Sequence, residues 1–154
     1  MNKTNYVNCC SLCDSTNIKS FGDLILSPLA NNLFSTAKES ISASRYPLGL
    51  NLCQDCFHVQ LSYEIPSSEL FTNYTYKSGL SSAFRNHFTE LADLLFQKHS
   101  SKNQKVKVLD IGCNDGFLLD CFHNLGTKTY VFEPATNLIS DISKEHLIYN
   151  QFFN

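Results

Sequence analysis

This sequence lacks an excess of basic residues and any long apolar run. Lysine and arginine number 12 against 14 aspartates and glutamates, without clustering, so the chain lacks the charge footprint of a nucleic-acid-binding protein. No apolar stretch approaches the roughly 20 residues that a membrane-spanning helix needs. The first residues, MNKTNYVNCC, also lack the apolar core of a signal peptide. We therefore predict a cytoplasmic protein that binds neither nucleic acid nor membrane.

The composition is otherwise that of a folded protein, apart from its cysteines. With 154 residues, 43% of them hydrophobic and 17% charged, the chain can form one ordinary domain or two small ones. It contains seven cysteines. Thiols stay reduced in the cytoplasm, so these cysteines favour metal binding over disulfide bonds.

Four cysteines occur as two pairs with metal-ligand spacing, Cys10-x-x-Cys13 and Cys53-x-x-Cys56. Two such pairs supply the four thiolates of a tetrahedral structural zinc site, which leaves no coordination position open for catalysis. Cys9 competes with Cys10 as the first ligand, and buried or stray thiols remain the alternative for Cys113 and Cys121.

The two pairs are far apart in sequence, because 39 residues separate Cys13 from Cys53. Compact zinc sites usually have 15–20 residues in this position. The intervening segment must therefore fold back, and we predict strands around Phe21–Leu29 and Leu48–Leu52 that do so. His58, just after the second pair, is a candidate spare ligand, although a position beside the site or on the surface fits it better.

The pattern of apolar residues divides the chain into three parts. Residues 1–75 are short apolar pieces broken by glycine and proline, which indicates turns and short strands. Residues 76–103 contain one helical stripe and are predicted to form a linker helix. Residues 104–154 alternate between strand and helix patterns. The stripe residues, all expected to pack in a core, are Leu80, Phe84, Phe88, Leu91 and Leu95.

The last part predicts a parallel sheet, because its strands alternate with helices. The predicted strands are 105–111, 129–133 and 147–150, and the predicted helices are 116–124 and 136–145. The fold class is therefore α/β: a small zinc-binding module of short strands, followed by a partial Rossmann-like parallel sheet.

A glycine loop follows the first of these strands, with the form Asp110-x-Gly112-x-Asn114-x-Gly116. Glycine permits backbone conformations and close approach that a Cβ atom would block, and the helix that follows offers free N–H groups to a ligand. Glu133, at the end of the next strand, is placed to accept both hydroxyls of a ribose.

The loop spacing selects among cofactors. It is not G-x-G-x-x-G, and Asp110 would repel a phosphate but attract an ammonium group, so S-adenosylmethionine fits better than a nicotinamide dinucleotide. A nicotinamide-binding fragment and a loop without any ligand are the alternatives.

Several further segments, read in order, form a recognisable set. They are Cys10-x-x-Cys13, Pro28-Leu29-Ala30-Asn31, Tyr46-Pro47-Leu48, Cys53-x-x-Cys56-Phe57-His58-Val59-Gln60-Leu61, Phe71-x-x-Tyr74-x-Tyr76-x-Ser78-Gly79, Ile111-Gly112-Cys113-Asn114-Asp115-Gly116, Glu133-Pro134-Ala135 and Phe152-Phe153. Together they resemble the class I sugar C-methyltransferases along the whole chain. Those enzymes have a zinc-binding N-terminal domain, a Rossmann-like cofactor domain and a C-terminal domain.

The resemblance implies transfer of a methyl group from S-adenosylmethionine to a carbon of a nucleotide-linked keto-deoxysugar. It places Asp110, Gly112, Asn114 and Gly116, with Asp115 in the same loop, beside the methionine part of the cofactor, and Glu133 at its ribose. It also implies that the segment with Tyr74, Tyr76, Ser78 and Gly79 closes over the cofactor and sugar pocket. An aromatic packing segment between domains is the equal alternative for that segment.

The family's catalytic base belongs to a domain that has no counterpart in these 154 residues, so no catalytic residue is assigned. The leading hypothesis is an N-terminal part of such an enzyme that is inactive alone. In the parallel sheet the first strand would then present an open apolar edge. The second hypothesis is a zinc-containing binding or assembly subunit that a partner chain completes at that edge.

Overall fold

The computed structural model describes residues 5–101 and 105–153. These residues form two compact units, one ending at Leu70 and the other beginning at Phe71.

The first unit is built on an antiparallel sheet of three strands in the order β1-β2-β3. Its elements are β1 Ile18–Asp23, α1 Ala37–Ile41, β2 Gly49–Cys53, β3 Val59–Leu61 and α2 Ser67–Phe71. The predicted fold-back is present, because β1 pairs with β2 and Ile18 lies opposite Cys53. The first strand was predicted too late in the chain, at Phe21–Leu29. It ends at Asp23, after a register irregularity between Ser20 and Gly22, and glycine has no side chain to pack on a strand.

The second unit has the predicted alternation of strands and helices around a parallel sheet. A 3₁₀ helix, Ser78–Leu80, precedes α3 Ser82–His99, and then come β4 Lys107–Ile111, α4 Phe117–Asn124, β5 Lys128–Phe132 and β6 Leu147–Tyr149. The strand order is β4-β5-β6, all parallel. The fold class is therefore confirmed: a small antiparallel module and a parallel α/β sheet.

The core of the second unit lies on one face of this sheet. Leu119 from α4 and Val131 from β5 are fully buried there, with Ile142 and Cys113 beside them. The opposite face is not covered by any described element, and large apolar side chains on it stay exposed. Leu109 and Ile111 on β4 are 48% and 55% exposed.

The prediction of a helix over 136–145 is wrong, and the structure shows successive turns there. The backbone N–H groups of Leu138 and Asp141 donate to carbonyl groups three residues earlier. The segment is rich in serine, threonine, asparagine and aspartate, whose side chains compete with the helical backbone bonds. The Asn137 side chain, for example, accepts from the Tyr74 N–H and donates to the Tyr74 carbonyl, at 2.9 and 2.8 Å.

The prediction that the whole helical stripe packs in a core is also wrong. Leu80 is 81% exposed and Phe84 is 45% exposed. Leu80 lies before the N-cap residue, Ser81, whose hydroxyl accepts from the Phe84 N–H, so it is not on the helix. The packed part of α3 meets α4 further along, where Phe88 and Phe117 have ring centroids 6.5 Å apart and Ala92 is buried.

Within residues 5–101 and 105–153, no helix combines the length and the apolar character that a membrane span requires.

Candidate functional site

The strand pairing of the first unit brings its four predicted metal ligands together. Cys10 and Cys13 lie in the turn before β1, Cys53 is the last residue of β2, and Cys56 follows in the next turn. Because β1 and β2 are antiparallel, the start of one strand meets the end of the other. Cys13 and Cys53, which 39 residues separate in the sequence, are therefore neighbours in the fold.

The geometry of the four sulfur atoms fits zinc. The Sγ atoms of Cys10 and Cys56 are 3.6 Å apart, those of Cys13 and Cys53 are 3.7 Å apart, and all four lie within 4.8 Å of one another. A tetrahedron with Zn–S bonds of about 2.3 Å has sulfur–sulfur edges of about 3.8 Å. A disulfide bond would need about 2.05 Å. The donor set and its spacing therefore suit a structural Cys₄ zinc site.

Backbone N–H groups lower the pKa values of Cys13, Cys53 and Cys56, although burial and neighbouring thiols leave the pKa values of Cys13 and Cys56 raised overall. The Cys56 N–H hydrogen-bonds to the Cys53 sulfur and, with a smaller contribution from the Asp55 N–H, lowers the pKa of Cys53 to about 7 although burial acts in the opposite direction. The Leu12 N–H donates to the Cys10 sulfur at 3.4 Å. Such N–H···S bonds favour the deprotonated ligand that a metal binds.

Neighbouring side chains hold the first cysteine turn against β3. The Gln60 side chain accepts from the Ser11 N–H at 2.8 Å and donates to the Cys9 carbonyl at 2.8 Å. His58 lies beside the site, with its Nε2 3.4 Å from the Ser11 hydroxyl. Among the described residues, the cluster that could hold a metal contains neither His58 nor Cys9, so the geometry favours Cys10 over Cys9 as the first ligand.

The second candidate site is the loop between β4 and α4. Gly112, Asn114 and Gly116 all have positive φ, at 78°, 59° and 80°, so this backbone shape is one that glycine and asparagine favour. The Gly112 N–H donates to the Phe132 carbonyl at 2.7 Å, which fixes the loop to the end of β5. A Cβ atom on Gly116 would lie 3.3 Å from Ile142 Cγ2.

Glu133 organises this loop from the end of β5. It is buried, and its two carboxylate oxygens accept from the backbone N–H groups of Asn114 and Ala135, each at 2.8 Å. A carboxylate has about four lone-pair positions, so these two bonds leave acceptor capacity for a ligand. The sequence suggested a ribose contact for Glu133 but gave no sign of its bonds to the backbone.

Asn114 and Asp115 bind the segment that precedes α3. The Asn114 side chain accepts from the Ser78 N–H at 3.0 Å and donates to the Tyr76 carbonyl at 2.8 Å. The Asp115 carboxylate accepts from the Gly79 N–H at 2.8 Å. A Cβ atom on Gly79 would come within 2.8 Å of that carboxylate, so only glycine allows this approach. The fold thus brings the predicted residues of both segments together.

Negative charge accumulates around the loop, where Asp110, Asp115 and Glu133 lie close enough to influence the same thiol. Burial raises the pKa of the Cys113 thiol well above its usual range, and the charges of these three carboxylates raise it further. Burial likewise raises the pKa of Asp110, with a further contribution from Glu133. A positively charged ligand would relieve this repulsion, whereas a phosphate would add to it.

The sequence assigned no role to His146, which the structure places in a buried network. Its side chain is fully buried, with Nδ1 2.7 Å from the Thr129 hydroxyl and Nε2 3.0 Å from an Asp120 carboxylate oxygen. These contacts join the turn before β6 to β5 and α4. No local spacing pattern signals such a set, because its members come from three separate elements.

Comparison with known proteins finds similarity in both parts of the chain. Residues 10–71 match the family described as "Putative zinc binding domain". The chain is also similar to C-methyltransferase NovU of Streptomyces niveus, at 27% identity over 132 residues. This alignment covers 84% of the chain but 30% of NovU, so the chain spans less than a third of that relative's length.

Proposed function

We propose that this chain, whose residues 10–71 match the family described as "Putative zinc binding domain", belongs to the C-methyltransferase family and binds S-adenosylmethionine in its second unit. It would serve as the N-terminal part of an enzyme that methylates a carbon of a nucleotide-linked keto-deoxysugar. The observation that carries this proposal is the acidic glycine loop, together with the similarity to a C-methyltransferase over most of the chain.

The charge of the loop favours S-adenosylmethionine over a dinucleotide. S-adenosylmethionine has an ammonium group and a sulfonium but no phosphate, whereas nicotinamide dinucleotides carry a pyrophosphate. The carboxylates of Asp110, Asp115 and Glu133 act on one loop, and they would repel a pyrophosphate at close range. The positive φ of Gly112 and Gly116 fits a backbone that passes close to its ligand.

Each predicted residue then has a specific task. Asp110 would hold the ammonium group, and Glu133 would accept from the ribose hydroxyls with its remaining lone pairs. Asn114 and Asp115 keep the segment with Tyr76 and Ser78 against the loop. When bound, S-adenosylmethionine would supply an electrophilic methyl group. No base for removing the substrate proton is assigned in the described residues, and we expect no turnover by this chain alone.

We expect Asp110→Asn to lower the affinity for S-adenosylmethionine by at least about tenfold, as loss of an ion pair worth about 1.4 kcal/mol would do. In wild type, protonation of Asp110 should also weaken binding. Because the pKa of Asp110 is raised in the folded chain, the affinity should begin to fall at a higher pH than the usual titration range of an aspartate. That same shift makes the ligand-free fold more stable as the pH falls through the interval between the raised and the unfolded pKa.

Isothermal titration calorimetry between neutral and mildly acidic pH measures the affinities. Asp93→Asn is the matched control, since Asp93 is exposed on α3. An Asp110→Asn variant that binds as tightly as wild type, with the same pH profile, would contradict the role of Asp110.

The second candidate function is a subunit that a partner chain completes. It is favoured by β4, which among the described residues has a strand on one side only, and by the exposed Leu109, Ile111, Leu147 and Tyr149 on one sheet face. Co-expression with the neighbouring reading frame should then give a stable complex with slowed amide exchange in β4. If the two proteins elute separately on size-exclusion chromatography and amide exchange in β4 is unchanged, this function is contradicted.

A further inference from the structure

The turns found in place of the predicted last helix contact one stretch of chain, residues 72–79, which we call the strap. The Thr136 N–H and hydroxyl both donate to the Thr72 carbonyl, at 3.0 and 3.3 Å. Nearer the other end of the strap, Nζ of Lys77 lies 2.8 Å from a carboxylate oxygen of Asp141. The turns therefore follow most of the strap.

Between these two contacts, Asn137 satisfies both backbone groups of one strap residue. Its side-chain oxygen accepts from the Tyr74 N–H at 2.9 Å, and its side-chain nitrogen donates to the Tyr74 carbonyl at 2.8 Å. A residue of a neighbouring antiparallel strand would bond to Tyr74 in the same way. Tyr74 lies outside the helices and strands, so the Asn137 amide supplies the hydrogen bonds that regular structure would otherwise provide.

A second asparagine holds the far end of the strap. Asn114 of the glycine loop bonds to the Ser78 N–H and to the Tyr76 carbonyl, and the neighbouring Asp115 accepts from the Gly79 N–H. The strap is thus attached at one end to the turns after β5 and at the other end to the glycine loop.

Glu133 connects the two places to which the strap is attached. Its carboxylate accepts from the Asn114 N–H on one side and, on the other, from the N–H of Ala135, two residues before Asn137. The strap therefore runs from one to the other of the two loops that meet at this carboxylate. A ligand held by Glu133 would lie beside the strap, so the mobility of the strap would limit how fast that ligand leaves.

We propose that Asn137 is a positioning residue of the methyl-donor site, which slows the release of S-adenosylmethionine by holding the strap against the loops around Glu133. This inference rests on the binding of S-adenosylmethionine proposed above. Asn137 acts through the backbone of Tyr74 and is assigned no contact with the cofactor. Its loss should therefore change the dissociation rate much more than the association rate.

The test compares wild type with Asn137→Ala in the full chain. Asn137 is exposed, so the variant should remain folded. A chase of bound, labelled S-adenosylmethionine with excess S-adenosylhomocysteine measures the dissociation rate. We expect this rate to rise about tenfold, the scale of losing one or two exposed hydrogen bonds, while the association rate changes less than about twofold.

Amide exchange gives a second readout that reports on the strap itself. Without ligand, the Tyr74 N–H should exchange faster in Asn137→Ala than in wild type, because it has lost its acceptor. In wild type, S-adenosylmethionine should slow the exchange of the Tyr74 and Ser78 N–H groups, since the bound cofactor would hold the strap in place.

Thr127→Val is the matched control. The Thr127 hydroxyl is buried and donates to the Phe122 carbonyl at 2.9 Å. Thr127 lies just before β5, whereas Glu133 and the turns that contact the strap follow β5. The substitution removes one hydrogen bond from the same unit, so it should lower the stability of the fold and leave the dissociation rate unchanged.

The outcomes separate this inference from the proposed function. If folded wild type binds no S-adenosylmethionine, the proposed function fails and the inference fails with it. If wild type binds it and Asn137→Ala releases it at the wild-type rate, or Thr127→Val accelerates release equally, only the inference is overturned. Unchanged exchange of the Tyr74 N–H in Asn137→Ala would overturn it as well.

Discussion

The variant Cys53→Ser is expected to bind no zinc and to lose the fold of the first unit. Among the described residues, the only apolar side chains buried in this unit are those of Cys10 and Cys53. The unit therefore has almost no hydrophobic core apart from its metal ligands. A structural zinc site contributes on the order of 10 kcal/mol to folding, which is comparable to the whole stability of a small domain.

Serine at position 53 would change more than one bond. It would remove a buried thiolate whose sulfur accepts from the Cys56 and Asp55 N–H groups, and it would leave the other three ligands without a closed coordination sphere. Because Cys53 is also the last residue of β2, the pairing of β1 with β2 should fail with it.

Elemental analysis and amide exchange over residues 5–70 measure this outcome. Cys9→Ser is the matched control, because Cys9 is exposed and adjacent to the site but outside the cluster. We expect one zinc per chain in wild type and in Cys9→Ser, and none in Cys53→Ser. A folded first unit without zinc in the Cys53→Ser variant would contradict the assignment.

The variant Glu133→Ala is expected to lower the affinity for S-adenosylmethionine by more than about a hundredfold, equivalent to about 2.7 kcal/mol. The substitution leaves the N–H groups of Asn114 and Ala135 without their acceptor. Each hydrogen bond to a charged group is worth about 1.5–3 kcal/mol, so the loop should lose its shape as well as its ribose ligand. We expect the second unit to be destabilised by about 2–4 kcal/mol.

Glu133→Gln removes only part of these interactions. One oxygen remains as an acceptor, while the new amide group cannot accept from a backbone N–H, so stability and affinity should lie between those of wild type and alanine. Glu145→Gln, an exposed substitution in the same unit, should change neither quantity. Chemical denaturation and calorimetry give both values. Unaltered affinity in Glu133→Ala would remove Glu133 from the site.

The sequence was most informative where one residue type has one physical use. Two pairs of cysteines at metal-ligand spacing predicted the cluster, because four thiolates in two such pairs have few other roles. The alternation of strand and helix patterns predicted the parallel sheet. Helix α4 ends at Asn124, and Gly126 just beyond its C-cap has φ 81°, the left-handed conformation that glycine commonly adopts after a helix.

Sequence patterns did not predict local structure or side-chain exposure where contacts with distant segments determine them. The segment after Glu133 has apolar residues at helical spacing, yet Thr136 and Asn137 bond to Thr72 and Tyr74, more than 60 positions earlier. Phe84 is 45% exposed although it lies four residues before Phe88 on the same predicted stripe. No local pattern contains either fact.

Equilibrium dialysis of the wild-type chain with labelled S-adenosylmethionine, repeated with labelled NAD, tests the central claim most directly. The account predicts one S-adenosylmethionine per chain, displaced by S-adenosylhomocysteine and not by NAD, because Asp110, Asp115 and Glu133 make the loop unfavourable for a pyrophosphate. Binding of NAD in preference, or of neither cofactor by folded and zinc-loaded protein, would contradict it.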